Sequence, residues 1–233
     1  MTAPLVRRSP AHRGVVTAAA ALTPRMRRLT VRADALLGLA IRPAQDVELL
    51  LREPSGRRVK RRYTIRHSRP EVGEIDLDVL LHGAGPGSAW GAQSAPGDEV
   101  EFQGPRGKLE LHPAPWHLLA GDEAALPAIG AICASLPPGE RALALVEVHD
   151  AADQLPVDAD VRWLCRGDTP PGGAALLTAA LRELELPPGA GRCYLLGETR
   201  AAIALRAVLE DMGVHHESIF VKGYWNLGRP KTV

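Results

Sequence analysis

The chain has 233 residues, 45% of them hydrophobic, which suffices for one large core or two small ones and excludes disorder as the main state. Its 28 basic and 27 acidic residues leave a formal charge of +1, so there is no electrostatic case for nucleic acid or an anionic membrane surface as partner.

Up to about residue 113 the pattern predicts short strands. Val15–Ala19 and Arg27–Val31 come first, then Asp46–Arg52 and Val59–Arg66. In Glu74–Leu81 the apolar Ile75, Leu77 and Val79 alternate with Glu74, Asp76 and Asp78, the pattern of a half-buried antiparallel strand. A helix is expected from Pro86 to Ser94, and strands at Glu99–Phe102 and Lys108–Leu111 follow glycine-containing turns. Several short strands at this spacing predict an antiparallel β-barrel.

From Trp116 the pattern becomes strand–helix alternation. Apolar strands are expected at Trp116–Ala120, Ala142–Val148, Val161–Cys165, Cys193–Leu196 and His216–Val221. Helices are expected at Glu123–Leu136, Ala174–Leu184 and Arg200–Leu209, the first with Ala125, Ile129, Ile132, Cys133 and Leu136 on one face. Continuous apolar strands between helices predict a parallel sheet covered on both faces, hence a C-terminal α/β domain. The boundary is placed at Pro113–Pro115, dividing the chain into residues 1–114 and 115–233.

Four segments carry chemistry. The first is Val59–Arg66. Strand alternation puts Val59, Arg61, Tyr63 and Ile65 on one face, and Lys60, Arg62, Thr64 and Arg66 on the other. A tyrosine between arginines suits a flat anionic ligand, the ring stacking and the guanidinium holding a phosphate. An exposed basic strand with one packed tyrosine explains these residues equally well. The second runs from His82 through Gly83, Gly85 and Ser88 to Trp90, a glycine-rich turn that opens a helix and so offers backbone N–H groups to an anion. The third, Gly121-Asp122-Glu123 followed by Pro127, joins a strand to a helix in the order of a nucleotide site. It lacks G-x-G-x-x-G, and its two acids would repel a pyrophosphate; capping by Asp122 is the plain alternative. The fourth is Lys222-Gly223-Tyr224-Trp225-Asn226-Leu227-Gly228-Arg229, whose adjacent aromatics are unusual in a chain end and imply packing or a lid.

Arg61-x-Tyr63-Thr64 resembles the R-x-Y-[ST] motif of the ferredoxin–NADP reductase superfamily. That resemblance implies that Tyr63 stacks on an isoalloxazine, Thr64 lies near its reactive edge and Arg61 contacts the FAD phosphates. Tyr63 and Thr64 are thus the residues nearest the chemistry, with Thr64 tuning the flavin and not acting as a base. Taken together, the four segments resemble the siderophore-interacting protein family, the NAD(P)H-dependent ferric-siderophore reductases. Leu22–Arg28, Gly104-Pro105-Arg106-Gly107, Glu147-Val148 and Gly197-Glu198 extend the match over nearly the whole chain. The resemblance implies an FAD-binding barrel followed by a nicotinamide-binding α/β domain. The family's usual Y-W-R-x-G-R carries Asn226 here in place of its arginine, which removes a basic group near the expected substrate pocket.

The function expected on this basis is transfer of electrons from NAD(P)H through FAD to a ferric siderophore. A general flavin or quinone reductase, and a siderophore-binding protein without reductase chemistry, are the competing readings. Lys60, Arg66, Lys222 and Arg229 are candidates for attracting an anionic siderophore. Glu147 suits a ribose hydroxyl and Arg166 a 2′-phosphate, so NADH and NADPH are both open. The three cysteines are too few for an iron–sulfur centre, which takes about four thiolates, and no metal site is expected. The opening MTAPLVRRSPAHRG lacks a signal-like apolar run, and no stretch approaches the ~20 apolar residues of a membrane helix. A cytoplasmic monomer is expected.

Overall fold

The computed structural model describes residues 10–53, 55–83 and 85–228. The first six strands are β1 (His12–Ala21), β2 (Met26–Arg32), β3 (Asp46–Arg52), β4 (Arg58–Arg69), β5 (Glu74–Leu80) and β6 (Glu99–Arg106). They close into an antiparallel barrel in the order β1-β2-β5-β4-β3-β6. Alternate residues fill it: Leu29, Val47, Leu49, Ile65, Ile75, Leu77, Val79 and Phe102 all point inward and are buried. Helix α1 (Pro86–Gln93) lies against the barrel beside Val79, and Arg27 donates from Nη1 to the Gly91 and Ala92 carbonyls, a cation on free acceptors at the helix end.

Two sequence expectations change here. Asp76 and Asp78, assigned to a solvent face, are buried. Arg28 grips Asp78 through two hydrogen bonds of 2.6 and 2.8 Å, and Arg69 and Thr30 both donate to Asp76. Burial pushes the Asp76 carboxyl up, but the Arg69 and Thr30 hydrogen bonds outweigh it and bring it down to about 2. The second change is Lys108–Leu111, which is not a strand. The barrel is already closed by β1 pairing with β6, so no edge is left for it. Its Leu109 packs instead into the apolar layer between the two halves of the molecule.

The second half holds five parallel strands: β7 (Trp116–Asp122), β8 (Arg141–Val148), β9 (Asp160–Cys165), β10 (Arg192–Glu198) and β11 (Ile219–Trp225). Their order is β11-β10-β7-β8-β9. Alternation divides each strand between two layers. Leu118, Ala120, Leu143, Leu145 and Leu195 meet helices α3 (Ala175–Arg182) and α4 (Thr199–Asp211). Leu119, Ala144, Val146 and Leu196 meet helix α2 (Leu126–Cys133). The expected one-sided apolar stripe on α2 is superseded: every residue of it is buried, because it lies between the sheet and strand β4 of the barrel. Met26, Ala44 and Leu109 join α2 in one cluster, so barrel and sheet share an apolar seam.

Gly121 shows how tightly the sheet is closed at its carboxyl end. A Cβ there would lie 2.5 Å from the Leu196 carbonyl oxygen and 2.7 Å from the Ala125 Cβ. Gly121→Ala is therefore expected to cost about 1–3 kcal/mol as overpacking against backbone. Urea unfolding followed by tryptophan fluorescence checks this; an unchanged midpoint would contradict it.

Candidate functional site

The crowded cations of residues 57–66 sort into two groups. Arg57 pairs with Glu53 at 2.7 Å and Arg58 with Glu101 at 3.7 Å. Lys60 and Arg62 converge on Glu48 at 2.7 and 3.4 Å, where Arg106 joins them at 2.9 Å. Burial pushes the Glu48 carboxyl up, but Lys60 and Arg106 outweigh it and hold it below the usual range. Among the described residues, Arg61 and Arg66 have no carboxylate within ion-pair distance. Both stand close to Tyr63 and Thr64 in the sequence, while Arg62, directly before Tyr63, turns to Glu48.

Arg61 and Tyr63 meet the start of α1. A Cβ on Gly87 would collide with the Tyr63 phenol oxygen and would lie 3.4 Å from the Arg61 Cγ. Only glycine at 87 lets ring, guanidinium stem and helix start converge. The helix begins at Gly85 with no side-chain cap and no acid in its first turn, while the Ser88 hydroxyl accepts the His82 N–H at 2.9 Å. The first turn therefore offers N–H groups beside an unpaired cation, and Pro86 follows Gly83 and Gly85 into the helix. The Trp90 ring stands 5.8 Å from that of Tyr63, inclined at 40°. A flat heteroaromatic carrying a diphosphate matches this donor set. Burial pushes the Tyr63 phenol up, so the ring stays neutral.

The opposite face of β4 looks toward the sheet. Thr64 is buried and pairs in register with Asp46 of β3. Lys222 of β11 crosses the seam to Asp46 at 2.9 Å, and its Nζ lies 5.0 Å from the Tyr224 ring centre. Burial pushes the Tyr224 phenol up, partly offset by the neighbouring Thr64 hydroxyl. Lys222→Met leaves Asp46 without its cation and is expected to cost about 1–2 kcal/mol, in line with stranding one partner of a half-buried pair. Thermal unfolding of wild type and variant measures this, and equal midpoints would contradict it.

Next along β4, a bulge sets Ile65 opposite Leu77 but His67 opposite Asp76, so Arg66 is an extra residue on the outer face. Its guanidinium lies on α2, where a Cβ on Gly130 would fall 2.7 Å from Nε. Arg66 lines a cavity of about 230 Å³ with Leu22, Leu126, Gly130 and Val157, and its Nη1 is buried there without a hydrogen-bond partner.

In the sheet, β7, β8 and β9 run to one side and β10 and β11 to the other, so chain order reverses between β7 and β10. Open α/β sheets bind ligands at this place, beyond the strand carboxyl ends. Gly121, Asp122, Gly197 and Glu198 lie there. Both acids of the Gly121-Asp122-Glu123 turn point inward. Asp122 accepts N–H groups from Ala124 (2.9 Å), Glu198 (3.0 Å) and the Trp225 indole (2.7 Å). Burial drives its carboxyl up to about 6, against those hydrogen bonds. Glu123 accepts from His149 N–H and Arg166, each at 2.7 Å. The anion-repelling acids expected from the sequence are thus consumed by the protein. Glu198 caps α4 through Ala201 N–H and also accepts Leu227 N–H. The Trp225 ring rests against Gly172, over the crevice.

Of the residues expected from sequence, Arg61, Tyr63, His82, Gly83, Gly85, Ser88 and Trp90 come together around α1. Thr64, Lys222 and Tyr224 share the seam. Ile65 turns into the barrel core, and Arg66 faces the cavity. Pro127 lies in the first turn of α2. Lys60 is tied to Glu48, and Arg229 lies outside the described residues. Sequence reasoning missed Asp46 and Gly87 as working parts. Counting antiparallel register back from the β3–β4 turn would have set Asp46 opposite Thr64.

Comparison with known proteins agrees with this geometry. Residues 51–109 match the model of the siderophore-interacting FAD-binding domain, and residues 114–228 match that of the siderophore-interacting protein. The chain is 32% identical to ferric vibriobactin reductase ViuB of Vibrio cholerae, over 85% of this chain and 74% of that one. A siderophore utilization protein from T. fusca is 30% identical and superposes with a TM-score of 0.88 over 96% of this chain and 95% of that one. For the siderophore-interacting protein SipS from Aeromonas hydrophila the values are 26%, 0.82, 96% and 94%. The cradle of Arg61, Tyr63 and the α1 start fits the diphosphate and ring of FAD, and the chain belongs to the siderophore-interacting protein family as an FAD-binding oxidoreductase.

Proposed function

We propose that the chain is a cytoplasmic, monomeric ferric-siderophore reductase that carries electrons from NAD(P)H through FAD to iron. The observation that carries this reading is the meeting of two sites across one seam. The Arg61–Tyr63–α1 cradle belongs to the barrel, the β7–β10 crevice belongs to the sheet, and between them Lys222 of β11 reaches Asp46, the register partner of Thr64, at 2.9 Å.

FAD supplies the two-to-one electron conversion, taking a hydride's pair and giving it up singly. Arg61 and the first α1 turn would hold its diphosphate and Tyr63 would offer a stacking surface to its ring, while the buried Thr64 and the Tyr224 beside it exclude water from the seam. One NAD(P)H reduces two ferric complexes, leaving NAD(P)⁺, one proton and two ferrous ions. Ferrous iron favours oxygen donors less than ferric iron does, so the complex loosens. The test is anaerobic turnover of a panel of ferric siderophores with a ferrous chelator as trap. A rate no higher than that of free FAD would defeat the reading, and turnover of quinones alone would favour the general reductase.

Asn226 follows Trp225 at the mouth of the crevice and is half-buried. Asn226→Arg supplies the family's usual cation and is expected to raise kcat/KM for anionic siderophores about three- to tenfold, the worth of one added charge contact. Steady-state kinetics at two salt concentrations checks this. A gain equal for neutral and anionic siderophores would contradict it.

A further inference from the structure

Glu123 joins three strand ends. It follows β7, its Oε1 accepts the His149 N–H beyond β8 at 2.7 Å, and both its oxygens accept Arg166 Nη1 beyond β9 at 2.7 Å. Both side chains are almost fully covered, Arg166 at 9% and Glu123 at 4% exposure. Glu147 lies 3.9 Å from the same guanidinium nitrogen. Arg166 therefore already faces two carboxylates in a place that water barely reaches.

These strand ends form the half of the crevice on the β8 side of the reversal. In doubly wound sheets the adenosine ribose lies over the end of the second strand, where an acid takes its 2′-hydroxyl or an arginine takes a 2′-phosphate. Arg166 follows β9 but its backbone N–H donates to the Val148 carbonyl at the end of β8 at 2.9 Å, so it is the arginine beside that place, and Glu123 holds its side chain in the protein interior. The second cation near the end of β8 is Arg25, from the turn between β1 and β2. It is bound by Asp153 at 2.6 Å and Asp150 at 3.3 Å. Asp150 is half-exposed: its Oδ1 accepts the Ala152 N–H at 2.9 Å and its Oδ2 faces Arg25, and a carboxylate with this much exposure has acceptor capacity left for a hydroxyl. A 2′-phosphate brings almost two negative charges to a surface whose cations are already matched by carboxylates. A 2′-hydroxyl brings a hydrogen-bond donor.

We propose that this crevice selects NADH over NADPH, and that Glu123 sets the choice by holding Arg166 away from the ribose 2′ position. The inference rests on the reading that a pyridine nucleotide is the electron donor. The wild-type test is anaerobic reduction of the FAD-loaded protein, followed at the flavin absorbance, with NADH and NADPH in separate titrations. An NADH preference of at least about tenfold in kcat/KM is expected, the discrimination of one unmatched charged contact. Equal rates, or faster reduction by NADPH, would overturn the proposal. If neither nucleotide reduces the flavin, the donor reading falls and the selectivity with it.

Glu123→Gln releases Arg166 and is expected to raise kcat/KM for NADPH about tenfold while NADH changes less. A variant that folds and retains FAD, yet keeps the wild-type ratio, would refute the role of Glu123. Should the variant fail to fold, binding of 2′,5′-ADP and 5′-ADP to the wild-type holoprotein by calorimetry decides the same point. Weaker binding of 2′,5′-ADP supports the proposal, and tighter binding overturns it.

Discussion

Replacing Tyr63 by alanine is expected to raise the dissociation constant for FAD by about 10- to 100-fold, the worth of one stacked aromatic at roughly 1–3 kcal/mol. The ring stands between Trp90 and the start of α1, with its phenol oxygen at the Cβ position that Gly87 lacks. Removing it opens a gap where the flavin ring would lie but leaves Arg61 and the helix N–H groups to hold the diphosphate. Binding should therefore weaken without vanishing. Tyr63→Phe keeps the stacking surface and should retain FAD within a few-fold of wild type. Fluorescence quenching of free FAD on titration with apoprotein measures both. Unchanged affinity in Tyr63→Ala would remove Tyr63 from the flavin site.

Much of this fold was legible in the sequence because its signals are local. Strict alternation in Glu74–Leu81 placed Ile75, Leu77 and Val79 inside the barrel, where they are. The apolar runs at β7, β8 and β10 announced a sheet covered on both faces, and the two clusters on either side of it confirm the pattern. What escaped depends on partners distant in the chain. Asp76 and Asp78 look solvent-facing until Arg69, Thr30 and Arg28 arrive from other strands to neutralise them. The β4 bulge, which places both Arg66 and His67 on the outer face, has no composition signal. Asp122 and Glu123 read as a hazard to a bound anion because nothing local shows that Trp225 and Arg166 turn them inward. The pairing of Arg166 was hidden for the same reason. Its charge was visible, and its partner, forty-three positions away, was not.

Protonation of the buried acids behind the crevice sets a second large effect. Burial pushes the Glu147 carboxyl up to about 7; Arg166 opposes this, while Asp122 and Glu123 add to it. Arg166 spends its Nη1 on Glu123 at 2.7 Å and stays 3.9 Å from Glu147, so Glu147 has no counterion of its own. Asp122 is moved in the same direction, to about 6. The folded protein thus binds more protons than the unfolded chain from about pH 4, the ordinary carboxyl range, up to about pH 7. Stability should fall as pH rises through this interval, and the loss should be complete above it. For Glu147 the full effect is on the order of 3 kcal/mol. His67 acts the other way, since burial and the nearby Arg66 lower its pKa, but its ring is 40% exposed and its share is correspondingly smaller. Asp76, with its carboxyl at about 2, stabilises the fold evenly across this window and loses that contribution only as pH falls below it. Glu147→Gln keeps the shape and removes the charge. It should raise the unfolding free energy at pH 8, leave it nearly unchanged at pH 5, and flatten the slope between them. Urea unfolding across this range measures the slope directly. A variant whose pH dependence matches that of wild type would show that Glu147 is already ionised without cost in the folded protein.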